Sequence, residues 1–232
     1  MPFYDFWREK QVTALGRRWS RQAAEYTLRV ISRHVDPLTR VVEIGPGRGM
    51  LAAACRARRL HYIGIDANNG LLTALDPGSA ICAFAPPLPL QNAMCDAVVA
   101  NHVLEHAADL PQAQALVTEM RRIVRPGGVV TITSPDALWE GIEFWDCDYS
   151  HNFVTTARRL HQMFHDQNLK IVYLSYVHNH LEGLAGMLAG QIARLAPYRI
   201  PGAPPTSPFY VDQIYKLRMT FARSVLIVGR RI

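Results

Sequence analysis

Several common targeting signals are missing from this chain of 232 residues. No run of eighteen uninterrupted apolar residues occurs, so no segment has the length and apolarity of a membrane-spanning helix. The N-terminus, MPFYDFWREK, carries aromatic and charged residues where a signal peptide has a basic start and an apolar core. We therefore expect a single-domain, cytoplasmic protein.

Cysteine is scarce, and its spacing excludes common cysteine chemistry. The four cysteines contain no C-x-x-C pair; they are Cys55, Cys82, Cys95 and Cys147. Zinc ribbons and redox dithiols use such pairs, so the spacing favours free thiols in a reducing compartment over disulfides or zinc.

Lysine is nearly absent, although the chain is basic. The formal net charge is +6, and only Lys10, Lys170 and Lys216 are lysines. The excess of arginine is compatible with an anionic substrate, and equally with a GC-rich genome that replaces lysine by arginine over the whole surface. No Lys/Arg run exceeds two residues apart from the cluster at 56–59, so we expect no nucleic-acid partner.

The most informative segment that is present is VVEIGPGRG, at residues 41–49. Its apolar residues predict a buried strand, and Gly45, Gly47 and Gly49 allow the backbone after that strand to approach a ligand closely. Glu43 is placed to hold a cation or an amine of that ligand. A dinucleotide fingerprint needs G-x-G-x-x-G, whereas these glycines lie two apart, so the segment predicts a different nucleotide-like cofactor.

Strand and helix patterns alternate along the chain, which predicts a doubly wound α/β sheet. The predicted strands are 40–44, 61–65, 80–84, 96–100, 129–133, 169–176 and 224–228. The predicted helices are 7–34, 50–58, 70–75, 110–124 and 155–166. We divide the chain into a helical cap (1–36), a cofactor-binding core (37–136) and a substrate-side half (137–232) with an insertion at 179–222.

Three further segments follow the glycine turn. Asp66 ends the second predicted strand 17 residues after Gly49, where a carboxylate accepts hydrogen bonds from ribose hydroxyls. CDAVVANHVLEH (95–106) and LVTEMRRIVRPGGVVTITSPD (116–136) come next. In this order the segments resemble the motifs of class I S-adenosylmethionine (SAM)-dependent methyltransferases, in particular the small-molecule group that includes ubiquinone-pathway enzymes.

The resemblance implies SAM as cofactor and a Rossmann-like, seven-stranded sheet, mostly parallel with the last strand antiparallel. It implies a cofactor site made by Glu43, Gly45, Pro46, Gly47, Gly49, Asp66, Ala67, Phe84, Ala85 and Asn101. Phe84 departs from the group, which usually has an aspartate there for the adenine amine. Stacking of Phe84 on adenine and simple packing are both open.

The catalytic candidates lie after the fourth and fifth predicted strands. The loop at 135–153 leaves the carboxyl edge of the sheet, where ligands of such sheets bind. In that loop His151 is a candidate general base or a residue that only orders the loop, and Asp148 and Tyr149 are further candidates. His102 is a candidate at the end of the fourth strand, where N-P-P-Y, typical of adenine N-methylation, is absent.

A metal site built from His102, His106, Asp148 and His151 is conceivable, but no helical H-x-x-x-H with an acid in a zinc-binding context supports it, so no metal is expected. In the L-E-H sequence that ends at His106, a structural role for the histidine is favoured over catalysis.

The insertion begins with LEGLAGMLAGQIARLA (181–196), whose leucines and isoleucine share one helical face. Three roles stay open for this face: covering an apolar acceptor, packing in a homodimer, or lying on a membrane. Membrane contact is disfavoured because Arg194 is the only nearby cation. The proline-rich stretch at 198–209 predicts a loop that serves as a lid or an oligomer contact.

Together these features predict methyl transfer from SAM to an oxygen or nitrogen of a small-molecule acceptor, either anionic or apolar. Two alternatives stay open. One is a SAM-binding partner or regulatory protein without transferase activity, and the other is a methyltransferase that acts on protein or RNA.

Overall fold

The computed structural model describes residues 12–178, 181–197 and 208–232. Its strands are β1 (Arg40–Ile44), β2 (His61–Asp66), β3 (Ala80–Cys82), β4 (Cys95–Asn101), β5 (Val124–Pro135), β6 (Leu169–His178), β7 (Leu181–Glu182) and β8 (Ser224–Arg231). Its α-helices are α1 (Ala14–Ser32), α2 (Met50–Ala57), α3 (Asn69–Leu72), α4 (Leu110–Ile123), α5 (Ala137–Glu140), α6 (Glu143–Asp146), α7 (Ala157–Asp166), α8 (Gly183–Leu195) and α9 (Pro208–Thr220).

The strands form one sheet in the order β3-β2-β1-β4-β5-β8-β6-β7. Strands β1 to β5 pair in parallel, and β8 enters antiparallel between β5 and β6. If the two-residue β7 is left out and β8 is counted as the seventh strand, the order is 3-2-1-4-5-7-6, which confirms the predicted seven-stranded Rossmann-like fold with an antiparallel last strand.

The sheet is apolar on both faces because helices cover both. Along β4, Ala97 and Val99 pack with the side of the core that contains α1 and α2. Val98 and Ala100, one residue out of phase, pack with α4 and α7 on the other side. This alternation follows from the two-residue period of a strand. Because both faces are buried, successive residues of β4 are all apolar over most of its length.

Side-chain caps set where several helices begin. Thr13 accepts a hydrogen bond from the Gly16 amide at 3.1 Å, and Asp109 accepts one from Gln112 at 2.8 Å. Such caps satisfy amides that have no partner within the helix. The predicted start of the first helix at residue 7 lies outside the described residues.

The segment after α4 differs from its prediction. RPGG was expected to turn into a strand at 129, but β5 already begins at Val124, which pairs with Cys95. The register shifts between Cys95 and Ala97, and Gly127 has φ +78°, so the glycines form an irregularity within the strand. The loop predicted at 135–153 also contains the one-turn helices α5 and α6, which are too short to show helical periodicity.

In the insertion, helix α8 forms as predicted but turns its small residues inward. Gly186, Gly190 and Ala193 are buried, whereas Ile192 and Leu195 are 68% and 81% exposed. A Cβ at position 190 would lie 3.0 Å from the ring of His178, so any larger residue there would have to push this ring aside. Most of the proline-rich loop predicted at 198–209 falls at 198–207, outside the described residues. Among the described helices, none is long and apolar enough to cross a membrane.

Candidate active site

The predicted glycine turn lies between β1 and α2 at the carboxyl edge of the sheet. All three glycines have positive φ: +68° at Gly45, +53° at Gly47 and +72° at Gly49. The Gly45 amide donates to the Ile65 carbonyl at 2.9 Å, which fixes the turn beside β2. A Cβ at Gly45 would lie 2.6 Å from the Val103 side chain, so the turn needs glycine for both space and backbone conformation.

Glu43 is a buried acid at the base of this turn, 4% exposed. Its carboxyl accepts a hydrogen bond from the Tyr62 hydroxyl at 2.5 Å and is also hydrogen-bonded by Asn101. Burial raises the pKa of Glu43 to about 7, and the two hydrogen bonds only partly oppose this shift. The Asn101 Oδ1 atom is buried and has no hydrogen-bond partner within the described residues.

Asp66 lies one strand away, at the carboxyl end of β2. Its Oδ1 accepts the Asn68 amide at 2.7 Å, which orients the carboxylate. Desolvation raises its pKa, and the Asn68 hydrogen bond counters that effect. Ala67 is exposed next to it, and Phe84 is 79% exposed beyond the end of β3, followed by half-buried Ala85. Phe84 therefore does not pack into the core, and its ring is accessible to a ligand.

His102 occupies the equivalent position after β4. It has φ +54°, unusual for a residue other than glycine, and its amide donates to the Thr133 carbonyl at 2.8 Å. Its side chain is 54% exposed, with Nδ1 at 3.3 Å from Glu105 Oε1. Desolvation lowers the pKa of His102, but the hydrogen bond and charge of Glu105 outweigh it, so the pKa is raised overall.

Glu105 is a buried acid beside His102 that the sequence analysis did not single out. It is fully buried, and the Ser134 hydroxyl on β5 donates to its Oε2 at 2.8 Å. Its carbonyl accepts the amides of Asn152 and Phe153, both at 3.0 Å, and so ties the 148–153 loop to the end of β4. Desolvation raises the pKa of Glu105, but His102 and His106 reverse that effect and leave the pKa below its usual value. The signal was present as the acid in L-E-H.

His151 belongs to this loop but is less accessible than a general base needs to be. It is 7% exposed, and its Nδ1 lies 2.6 Å from the Phe144 carbonyl, to which it donates. Burial lowers the pKa of His151. Asp148 accepts the amide and hydroxyl of Ser150, at 2.9 and 2.6 Å, while Tyr149 is 74% exposed. The structure thus brings His151 and Asp148 near His106 and Glu105, and leaves Tyr149 on the surface.

Glu140, on α5, is a second acid that sequence reasoning missed. It is 6% exposed, and its Oε2 has no hydrogen-bond partner within the described residues. Burial raises its pKa to about 7, although the charge of His102 pulls it down. Its neighbours Asp136 and Glu143 are instead ion-paired, with Arg223 and Arg218 respectively.

Comparison with known proteins defines the class. Residues 15–174, more than half of the chain, match the methyltransferase domain family, so the chain belongs to that family. An uncharacterized methyltransferase of Mycolicibacterium gilvum is 32% identical over 99 residues, which are 40% of this chain and 38% of the relative. The chain spans about two fifths of the length of the curated relatives it matches first. Membership of the methyltransferase domain family confirms the family that the motifs predicted.

Solved structures extend the fold over nearly the whole chain. A SAM-dependent methyltransferase from Archaeoglobus fulgidus superposes with a TM-score of 0.63 at 16% identity, covering 91% of this chain and 94% of that one. A geranyl diphosphate methyltransferase in complex with SAM gives a TM-score of 0.59 at 13% identity, covering 90% and 85%. At these identities the likeness establishes the fold alone.

Proposed function

We propose that the protein transfers the SAM methyl group to an oxygen or nitrogen of an apolar small-molecule acceptor, with His102 at the reaction centre. The observation that carries this proposal is the convergence of the glycine turn, Asp66 and His102 on one edge of the sheet. Strands β1, β2 and β4 are adjacent and parallel, so their carboxyl ends meet at the crevice where ligands of such sheets bind.

In this proposal the cofactor lies across the ends of β1 to β4. Asp66 accepts hydrogen bonds from the ribose hydroxyls, and the Gly45–Gly49 backbone receives the methionine part. Glu43 supplies negative charge below the turn when the cationic cofactor is bound. The exposed Phe84 ring stacks on adenine, which makes up for the missing aspartate.

Transfer is an in-line displacement. The acceptor oxygen or nitrogen forms a bond to the methyl carbon while the carbon–sulfur bond breaks and its electron pair stays on sulfur. A proton leaves the acceptor for His102 when the acceptor carries one. Glu105 holds Nδ1 of His102, so Nε2 is the atom that faces the acceptor. Holding the nucleophile near attack distance supplies most of the acceleration.

The acceptor is proposed to be apolar because of the side chains that the 136–151 segment exposes. Leu138, Ile142 and Trp145 are 78%, 81% and 49% exposed, and Tyr149 follows them. Four large apolar or aromatic side chains exposed within one short segment offer apolar surface to a ligand or partner. Asp136 and Glu143 of the same segment are ion-paired with Arg223 and Arg218, so these two arginines are already engaged and do not offer a site for an anionic acceptor.

Calorimetry with SAM tests the cofactor half of the proposal. We expect one SAM, or one molecule of its demethylated product, to bind per chain, and NADH not to compete. If neither SAM nor its product binds to folded protein, the site is misassigned.

A further inference from the structure

We propose that Glu105, His106 and His151 bind one divalent transition-metal ion, with Zn²⁺ the best match to two imidazoles and one carboxylate. The three residues come from two segments that the fold brings together, the turn after β4 and the loop before α7. Their candidate ligand atoms all lie within 4.8 Å of one another. This set differs from the four residues considered from sequence, since Glu105 is included and His102 and Asp148 are not.

The three ligand atoms lie near enough for small side-chain movements to bring them onto one ion. Zinc bonds to nitrogen and oxygen are about 2.0–2.2 Å long, so two ligand atoms on one ion lie at most about 4.4 Å apart. In the tetrahedral geometry that zinc prefers, two ligand atoms lie about 3.4 Å apart, so the group has to close by up to about 1.4 Å around the ion. The two imidazole rings are already in contact, with centroids 4.9 Å apart and planes inclined by 59°.

Each ligand side chain is held by an outer partner, as metal ligands in proteins usually are. His151 donates from Nδ1 to the Phe144 carbonyl at 2.6 Å, which leaves Nε2 as its metal-binding nitrogen. The Ser150 hydroxyl donates to Asp148 and so accepts from His106 Nδ1 at 2.9 Å. That arrangement makes Nε2 the ligand atom of His106 as well.

The surroundings of the Glu105 carboxylate favour a cation in this position. Its Oε2 accepts the Ser134 hydroxyl, but Oε1 is buried without a well-formed hydrogen bond, although His102 Nδ1 lies 3.3 Å away. Burying a carboxylate oxygen whose nearest donor is a poorly aligned imidazole is costly, and a cation at this position would offset that cost. A carboxylate has about four lone-pair positions, so Glu105 can ligate an ion and still contact Ser134 and His102.

A three-ligand site leaves at least one coordination position open. His106 is only partly buried, so the ion has a route in from solvent. Bound there, the ion joins the end of β4 to the loop that carries Asp148 and Tyr149, next to His102. It would thereby hold one wall of the acceptor site and offer a position for an oxygen atom of the acceptor.

The test uses tag-free, chelator-treated protein titrated with Zn²⁺ by calorimetry and with Co²⁺ by absorption spectroscopy. We expect one ion per chain and cobalt bands of a nitrogen and oxygen environment. His106→Ala should weaken binding at least about 100-fold, more than the 10–100-fold typical of losing an outer partner. Glu105→Gln, which keeps the side-chain shape, should also weaken it. His161→Ala, which removes an exposed histidine of α7, is the matched control and should bind as the parent.

Three results would overturn the assignment. The first is a folded parent that binds no stoichiometric Zn²⁺ at micromolar concentration. The second is a folded His106→Ala protein with unchanged affinity, which would place any ion at surface histidines. The third is a cobalt–thiolate band, since it would make Cys147, 3.6 Å from His151 Nδ1, a ligand in place of the proposed set.

Discussion

Glu43 illustrates at the scale of one residue how the proposed cofactor site differs from ordinary core. A buried acid among β-strands is unfavourable, and burial accordingly raises its pKa to about 7 even though Tyr62 and Asn101 donate to it. A neutral residue at this position would make the ligand-free protein more stable. The negative charge becomes useful only when a cationic ligand occupies the turn above it, as SAM would.

Replacing Glu43 by glutamine should therefore stabilise the protein without ligand, increasingly as the pH rises. The folded carboxyl has a pKa of about 7 against an ordinary value of 4.5, so between these values the folded state holds a proton that the unfolded state has lost. Stability then falls with rising pH through this window. Urea unfolding should show the advantage of Glu43→Gln growing by about 3 kcal/mol from pH 4.5 to pH 8. Glu140 titrates similarly in both proteins, so its contribution cancels in the difference between their unfolding free energies. A difference that does not change with pH would contradict this account.

Asp66 is expected to contribute mainly to binding. Asp66→Ala removes hydrogen bonds from a charged acceptor to the ribose and should weaken SAM binding by about 1.5 to 3 kcal/mol, measured by calorimetry. The control is Asp166→Ala, which removes an exposed acid at the end of α7. Equal SAM affinity in the two variants would mean that the ribose does not bind at the end of β2.

His102 is expected to act in transfer. His102→Asn suits the positive φ at this position and removes the imidazole, so the backbone should be retained. We expect kcat to fall by about 10²–10⁴ while SAM affinity changes only a few fold. His161→Ala should leave both unchanged. Full activity in His102→Asn, in assays of labelled-methyl transfer, would leave Asp148, Tyr149 and His151 as the remaining candidates.

At the scale of elements, the glycine turn shows two separate demands on one residue. Gly45 has φ +68° and no room for a Cβ, whereas Gly78 has φ +84° with nothing within 4 Å of that position. The pair therefore separates backbone strain from steric exclusion.

Alanine at Gly78 should cost about 1 kcal/mol of stability, the strain of a left-handed residue with a side chain. Alanine at Gly45 should cost at least about 1 kcal/mol more, because its methyl must displace Val103. It should also weaken SAM binding, whereas Gly78→Ala should not. Thermal unfolding and calorimetry of both variants measure the two effects, and equal losses would mean that Val103 moves freely.

The elements predicted well are those whose signal is local. Strand β1 was placed at its observed bounds, and the glycine turn and Asp66 follow from residues adjacent in sequence. The helices α5 and α6 were missed, because four residues are too few to show a helical period. In α8 the period was read correctly, but the inward face is set by the close approach of His178 to Gly190, which no local pattern reveals.

At the scale of the whole molecule, topology assembles the site. The parallel order of β3 to β5 brings five strand ends to one edge, and β8 and β6 extend the sheet beside them. Glu105 and Glu140 were not predicted as buried acids, because their burial depends on how the 135–153 segment folds back over the end of β4. Sequence patterns locate a strand end well, but they do not show which distant loop closes over it.

The most direct test of the central claim is a mass-spectrometric search of cell extract incubated with this protein and SAM. The account predicts a metabolite that becomes heavier by one CH₂ group, with the new methyl on oxygen or nitrogen, together with demethylated cofactor. Both should be lost or strongly reduced with Asp66→Ala and with His102→Asn. A parent protein that binds SAM but methylates no small molecule, or one that labels only protein or RNA, would contradict the proposed function.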